Sequence, residues 1–401
     1  MLAGLLLAVA ALGILTSTVY LALVLVGALR FRRSAVVAPQ FTEPLPGATV
    51  LKPLHGMEPG LRENLESFFR QDYPTFQIVF GVRHADDPAL DVVRELREQY
   101  PRVPVQITVS GDPTWPNAKV QNLHSMMAAA DHPLLVISDS DVRVSHSYLR
   151  EVTRPLLDPK IGMVTCLYRG VNTGGFWSRL EAMGMSTELT SGVLVADLLE
   201  GTKFALGPTM ATRREVLAAV GGFAALADYL ADDYVLGNRV HAVGYHVVLS
   251  RHIIEHMVIN RAMPSSLQHQ VRWAKSTRRS RPKGHIGSGL TFSVPFGLLG
   301  LIGGFASGNL GLGAALLVAG VLNRIVQSLA VGWGVVRDRD SLTGAALYPL
   351  RDLLGFMCWA ASFLGGRRTS WRGDNYVLQN DGRMVRESAL AGAAGSQQSA
   401  A

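Results

Sequence analysis

Residues 134–141 read Leu-Leu-Val-Ile-Ser-Asp-Ser-Asp, an unbroken apolar run that ends in two carboxylates one residue apart. An apolar run without alternation is the pattern of a strand covered on both faces, as in parallel sheets. Further runs of this kind lie upstream at Ala48–Leu51, Gln77–Val82 and Val105–Val109, and helical patterns at about 60–70, 88–99 and 118–130 fall between them. Strands alternating with helices predict an α/β fold, a mostly parallel sheet with helices on both faces. Ligands of such sheets bind beyond the carboxyl ends of the strands, so function is expected just after each one.

Acids stand at those ends. His84-Ala-Asp86-Asp87-Pro88 follows the run at 77–82, Asp139-Ser140-Asp141 follows the run at 134–138, and Ala231-Asp232-Asp233-Tyr234 lies further on. A lone acid in a loop is ordinarily a helix cap or a solvated turn. Two sets ending core strands point instead to chemistry. Asp139 and Asp141 can aim at one point, which suits a hard cation, Mg²⁺ or Mn²⁺, completing its shell with water and substrate phosphates. The natural partner is a nucleotide diphosphate, whose developing charge such a metal neutralises. Transfer to an alcohol also requires a base, and Asp233 is the candidate.

Composition adds a membrane. The 401 residues are 48% hydrophobic with a formal charge of +7, a pI near 9.6 and mean hydropathy +0.21, which excludes an ordinary soluble domain. Residues 2–29 are almost wholly apolar and closed by Arg30-Phe31-Arg32-Arg33. That pattern predicts a transmembrane signal anchor over residues 1–30, with a cleaved signal peptide as the rival, and its positive flank places the chain after Arg30 in the cytosol. Residues 34–285 are polar enough to form the soluble domain. Residues 286–366 form a second membrane region, with candidate segments at 287–307, 309–335 and 344–365. Pro349, Arg351 and Asp352 interrupt the last of these and suggest a re-entrant or interfacial helix, leaving two spans. Gly300, Gly304 and Gly308 recur every four residues, a helix-packing pattern. The tail, 367–401, carries Arg367, Arg368 and Arg372, so it is expected in the cytosol with a disordered end. These features predict a multi-pass protein of the cytoplasmic membrane whose catalytic domain faces the cytosol. The basic residues crowd beside apolar segments and not among interleaved aromatics, against a nucleic-acid partner. Two cysteines, Cys166 and Cys358, provide no disulfide framework.

Before the second membrane region the chain reads Gln268-His269-Gln270-Val271-Arg272-Trp273. The later arginines fit a juxtamembrane basic belt. Arg272 beside Trp273 can hold a phosphate while packing on the ring, next to a bilayer that admits a lipid acceptor.

Together these residues resemble the ceramide glucosyltransferase family, a branch of the lipid and processive glycosyltransferases with a GT-A fold. The likeness covers about residues 46–285 and 369–383. Its most specific pieces are Leu51-Lys-Pro-Leu-His-Gly56, Asn64-Leu-Glu-Ser-Phe-Phe69 with Asp72-Tyr-Pro74, Asp86-Asp-Pro-Ala-Leu-Asp91, Pro116-Asn-Ala-Lys-Val-Gln-Asn-Leu123, Asp232-Asp-Tyr234 and Trp371-Arg-Gly. The resemblance implies that Lys52 and Pro53 begin a nucleotide pocket lined by Lys119 and Asn122. It also implies that Asp86 and Asp87 lie at the base or ribose, Asp139 and Asp141 on the metal side, and that Asp233 is the base of an inverting displacement. Arg272 and Trp273 match the end of a (Gln/Arg)-x-x-Arg-Trp signature. His269 stands at its first position, where Gln268 or Gln270 is left to substitute as a donor to sugar or diphosphate. The Ala, Gly and Arg richness is similar to the hopanoid-biosynthesis members, implying transfer of N-acetylglucosamine or glucose from a UDP-sugar to a hopanoid polyol. Ceramide and diacylglycerol remain alternative acceptors, and a processive polysaccharide synthase the rival enzyme.

Overall fold

The computed structural model describes residues 1–33, 45–364, 366–371 and 374–387. The expected disordered end, and Arg372 with Gly373, lie outside the described residues. The described residues form two compact units: a sheet unit of residues 45–167, 202–257, 367–371 and 374–387, and a helical unit of residues 1–33, 168–201, 258–364 and 366. The stretch expected as one soluble domain, 34–285, is therefore shared between them. Residues 168–201 and 258–285 fold with the apolar helices, and the tail joins the sheet unit.

Eight strands form one sheet, with only the ends of β6 and β8 falling outside the sheet unit: β1 Ala48–Pro53, β2 Phe76–Val82, β3 Val105–Val109, β4 Leu134–Ile137, β5 Val142–Arg143, β6 Ile161–Asn172, β7 Met210–Arg213 and β8 His246–Val258. Their order is β3-β2-β1-β4-β7-β6-β8-β5. The first four are mutually parallel. Strand β7 runs antiparallel to both β4 and β6, and β5 antiparallel to β8. Every residue of β1 and β4 is buried, as unalternated apolar runs require. Helices Leu61–Phe69, Ala89–Gln99 and Ala118–Met126 alternate with the parallel strands. The core gathers Leu51, Val79, Leu135 and Ile137 from the sheet against Val120, Leu123, Leu236 and Val240 from helices. The tail adds a separate antiparallel sheet of β9 Arg368–Trp371, β10 Asp374–Leu378 and β11 Met384–Arg386, with β10 central.

The helical unit contains two helices long and apolar enough to cross a membrane, Leu2–Arg33 and Leu310–Trp333, with mean hydropathies of 2.3 and 1.7. The other two segments read as membrane candidates are shorter. Val294–Ala306 has 13 residues and Tyr348–Ala361 has 14, so each is only about 20 Å long at the helical rise, against a hydrocarbon core of about 30 Å. The charges that interrupt the last segment are interior and paired. Arg351 and Asp352 are 7% and 4% exposed; Arg351 Nη2 lies 2.9 Å from Glu188 Oε2. Asp352 Oδ2 accepts from the backbone N–H groups of Ser293 (3.0 Å) and Val294 (2.8 Å), capping the helix that starts at Val294. Arg324 Nε stands 3.4 Å from the other oxygen of Asp352.

Of the three recurrent glycines, Gly300 and Gly304 sit in a close helix contact, whereas Gly308 lies past the helix end with nothing within 4 Å of an added carbon and takes no part. A Cβ on Gly304 would lie 2.8 Å from Gly313 Cα, and one on Gly300 2.9 Å from Leu316 Cβ. Gly304→Leu is therefore expected to force the helical hairpin apart at an overpacking cost of about 1–3 kcal/mol. Thermal unfolding in detergent should show a clear drop in Tm, whereas Gly311→Ala, with nothing within 4 Å of the added carbon, should leave Tm unchanged or raised. Equal effects would refute the close-packing account.

Candidate functional site

The Asp139-Ser140-Asp141 loop leaves β4 at the carboxyl edge of the parallel strands, and its backbone is tied on several sides. Lys52 Nζ donates to the carbonyl of Asp139, and Asn64 Nδ2 to that of Ser140 at 3.4 Å. The Ser140 hydroxyl donates to Glu58 at 2.7 Å, and Met257 N donates to the Asp141 carbonyl at 2.8 Å. With the backbone held, the side chains can be positioned accurately.

Lys119 gathers the carboxylates. It lies in the helix that starts at Ala118, where Asn117 caps the turn through Val120 N, and its Nζ is 2.6 Å from Asp139 Oδ1 and 3.9 Å from Asp232 Oδ2. Asp233 follows in the first turn of the helix Asp232–Ala242. Its Oδ2 accepts from Gly207 N and its Oδ1 from Tyr234 N, both at 2.7 Å. A Cβ on Gly207 would sit 3.1 Å from Asp233 Oδ2 and 3.5 Å from Asp139 Oδ2. The second and third acidic loops, nearly a hundred residues apart in the chain, thus meet across one glycine.

Electrostatics follow from burial. Burial lowers the Lys119 ammonium, but Asp139, Asp232 and Asp233 outweigh it and raise its pKa. Burial raises both Asp232 and Asp233 above the usual carboxylate range, against the pull of Lys119; backbone donors temper the shift at Asp233. Burial also opposes ionisation of Asp141, yet His256 together with Lys52 and Lys119 holds it below its ordinary value. His256 Nδ1 stands 3.3 Å from Asp141 Oδ1 because β5 pairs Val142 with His256 on β8.

Two carboxylates one residue apart, with an imidazole beside the second, form a donor set of the kind a divalent cation takes. Among the described residues no three His, Cys, Asp or Glu side chains converge closely enough to cage an ion unaided. The set therefore suits an ion that draws its remaining ligands from phosphate and water.

A pocket opens beside this cluster beyond β1, β2 and β3. Leu54 and His55 follow β1, Arg83 follows β2, Ser110 and Gly111 follow β3, and Lys119, Asn122 and Tyr376 complete the wall. Asn122 is 6% exposed and donates to the carbonyl of Gly81 at 2.8 Å. Lys52 and Pro53, expected at the start of this pocket, are buried strand residues. Lys52 lies 3.8 Å above the Phe68 ring, where burial pulls its pKa down to about 7. Facing the sheet interior, it acts on the site through the Asp139 carbonyl. Asp87 accepts from Gly56 N with both oxygens, at 3.1 and 3.0 Å, and from Ala89 N at 2.9 Å, so it fixes the loop after β1; Asp86 is exposed.

Four expected residues lie on one helix of the helical unit, Met263–Ser280. His269 Nδ1 is 2.6 Å from Glu181 Oε1, and its ring is 4.7 Å from that of Trp273. Gln270 Nε2 donates to Ser266 Oγ at 3.0 Å, and Arg272 and Trp273 are half-buried. Glu181, 2% exposed, also accepts from Asn260 at 3.0 Å and Ser266 at 2.5 Å. The imidazole is therefore oriented through Nδ1 and presents Nε2.

Sequence reasoning did not single out His256, Gly207, Glu181 or Tyr376. Of these, His256 carried a signal, since it lies in the strand-like run His246–Val258; the other three carried none.

The profile of glycosyl transferase family 21 matches residues 5–384. Ceramide glucosyltransferase 1 of Caenorhabditis elegans is 30% identical over 209 residues, 52% of this chain and 45% of that protein. The ceramide glucosyltransferase of Komagataella phaffii is 35% identical over 117 residues, 28% of this chain and 22% of that protein. The chain thus spans about half, or less, of the length of these curated relatives. Among solved structures, mannosyltransferase PcManGT from Pyrobaculum calidifontis, in complex with GDP-Man and Mn²⁺, superposes with a TM-score of 0.53 at 18% identity. That likeness covers 89% of this chain and 99% of the other, and establishes the GT-A fold. A profile match over nearly the whole chain, on a sheet of this topology, shows that the chain belongs to glycosyl transferase family 21.

Proposed function

We propose that this protein is an inverting lipid glycosyltransferase, which moves a sugar from a nucleoside diphosphate carrier, UDP by the family resemblance, to a hydroxyl of a membrane lipid. The observation that carries the reading is the gathering of Asp139, Asp232 and Asp233 around Lys119, beside a pocket at the carboxyl edge of the sheet. Asp139 and Asp141 would hold Mg²⁺ or Mn²⁺, which supplies charge neutralisation to a departing diphosphate. Asp233 takes the proton of the acceptor hydroxyl as that oxygen attacks the anomeric carbon. Its raised pKa makes it a stronger base than an ordinary carboxylate. Lys119 balances the surrounding acids and faces the phosphate end of the pocket. Arg272 and Trp273, with His269 and Gln270 on the same helix, carry the phosphate-holding role that the motif resemblance implies.

The relatives support a ceramide-type acceptor. The hopanoid polyol reading, with N-acetylglucosamine as the sugar, rests on compositional likeness. The two apolar helices support a multi-pass protein of the cytoplasmic membrane, with Leu2–Arg33 as its anchor and the sheet unit in the cytosol. Mass spectrometry of lipids from cells with and without the gene separates the readings: one glycosylated ceramide or hopanoid is expected, and a released polymer would refute lipid transfer.

With purified protein in detergent, Asp233→Asn should lower kcat by about 10²- to 10⁴-fold with the fold retained and Tm modestly lowered, because the amide NH2 cannot accept one of the two backbone N–H bonds; unimpaired turnover removes Asp233 from the mechanism. Because a base acts only when deprotonated, kcat/KM should rise with pH through a limb lying above that of an ordinary carboxylate. A limb at the usual carboxylate position would contradict that assignment. Chelation by EDTA should abolish transfer, with recovery on adding Mn²⁺ or Mg²⁺; persistence after exhaustive chelation would show that Asp139 and Asp141 work without a cation.

A further inference from the structure

The carboxylates inside the helical unit are not satisfied alike. Glu181 takes Asn260, Ser266 and His269, and Asp352 takes two backbone N–H groups and faces Arg324. Both are buried. Glu188 differs: its side chain is 39% exposed, and among the described residues Arg351 is its one close partner, with Nη2 2.9 Å from Oε2. An ionised carboxylate has about four lone-pair positions, so most of its accepting capacity is open. Arg351 is buried, and its Nε and Nη1 have no hydrogen-bond partner among the described residues.

Two glycines leave room for this pair. A Cβ on Gly184 would collide with the Arg351 guanidinium, and one on Gly355 would lie 3.1 Å from both Glu188 oxygens. Glu188 also sits in a π-helical turn, Met185–Leu189, between the helices Phe176–Gly184 and Thr190–Glu200; turns of this kind recur at functional sites.

The neighbouring elements set the level of the site. The two ends of the helical hairpin meet the helix Leu2–Arg33 at one line, where Ser293 Oγ is 3.1 Å from Ser17 Oγ and Asn323 donates to Thr18 at 3.4 Å. To one side of that line residues 2–15, and the hairpin helices as far as Leu322, carry no polar side chain. At the line itself Arg324 pairs with Asp352, and the adjoining Arg351 pairs with Glu188. A lipid whose chains lie along the apolar part therefore brings its head to this polar layer.

We propose that Glu188 is an acceptor-binding residue, whose carboxylate, held by Arg351, accepts a hydrogen bond from an O–H or N–H of the lipid other than the hydroxyl that takes the sugar. This rests on the lipid-transfer reading above and narrows it. The acceptor class is a lipid whose head carries a second hydrogen-bond donor, an amide or a further hydroxyl, as in ceramide or a polyol. Diacylglycerol has a single hydroxyl, and its ester carbonyls only accept, so they would turn lone pairs towards the carboxylate. A donor from the lipid makes a charge-assisted bond, the stronger kind.

Transfer by the full chain in mixed micelles with Mn²⁺ tests it, with UDP-glucose or UDP-N-acetylglucosamine as donor and ceramide, a hopanoid polyol and diacylglycerol offered in turn. Wild type should prefer one of the first two. Glu188→Gln should raise KM for that lipid by roughly 10- to 100-fold and leave UDP affinity, read by calorimetry, within about two-fold. Glu188→Leu should also lower Tm, because it strands a buried guanidinium. Combining it with Arg351→Met replaces the pair by apolar groups of similar size, which should recover Tm while the acceptor KM stays raised. A wild-type acceptor KM in that double variant would overturn the proposal, as would an equal loss of UDP affinity in Glu188→Gln, the mark of a merely structural role. Diacylglycerol as the preferred acceptor would overturn it too, with lipid transfer left standing. If wild type glycosylates none of the three lipids, the lipid-transfer reading itself fails, whatever the variants do.

Discussion

An ammonium enclosed by carboxylates organises the sheet unit. Asp139, Asp232 and Asp233, the second buried and the others half-buried, could not crowd together as anions without a counter-charge, because like charges partly withdrawn from water repel and lose solvation together. Lys119 provides it, and its position depends on a helix capped by Asn117, which is itself tied to Tyr229. The pocket, the Asp139-Ser140-Asp141 loop and the start of the Asp232–Ala242 helix all converge on that nitrogen. The arrangement is specific because each participating backbone is fixed by hydrogen bonds from a different part of the chain.

Removal of side-chain bulk matters as much as placement of charge. At Gly207 the missing Cβ allows Asp233 to accept from the backbone while Asp139 approaches from the other side. At Gly304 and Gly313 the same absence lets two helices meet backbone to backbone. Similar economy appears in the helical unit, where the buried Arg324 pairs with the buried Asp352, which caps a neighbouring helix, and the buried Arg351 pairs with the part-exposed Glu188. Charges that look like interruptions of an apolar segment are there part of the packing.

His269 illustrates how a departure from a motif can be absorbed. With Gln or Arg at that position, several donor groups would be available. An imidazole has two nitrogens, and Glu181 takes one of them at 2.6 Å, leaving the other defined in direction. The carboxylate that makes this possible also binds Asn260 and Ser266, so its remaining lone pairs are satisfied in a nearly closed site.

Local patterns were enough to read the parallel half of the sheet. Strands at 48, 77, 105 and 134 and the first two helices between them appear within a residue or two of where apolar periodicity puts them, because buried strands and amphipathic helices leave short-range signatures. The third helix, expected to 130, ends at Met126 and is followed by a 3-10 turn. Asp139 and Asp141 were legible for the same reason as the strands, since they follow a core strand and a strand end is a local fact, whereas Asp232 and Asp233 open a helix and stood out only as paired acids. Long-range pairing was not legible. That His256 adjoins Asp141 depends on the register of β5 with β8, and that Tyr376 reaches the pocket depends on a small sheet built from the tail. Neither Lys52 turning inward nor the division of residues 34–285 between two units is written in any window of sequence. Pairing, burial and backbone contact arise between segments distant in the chain, so they exist only once the chain has folded.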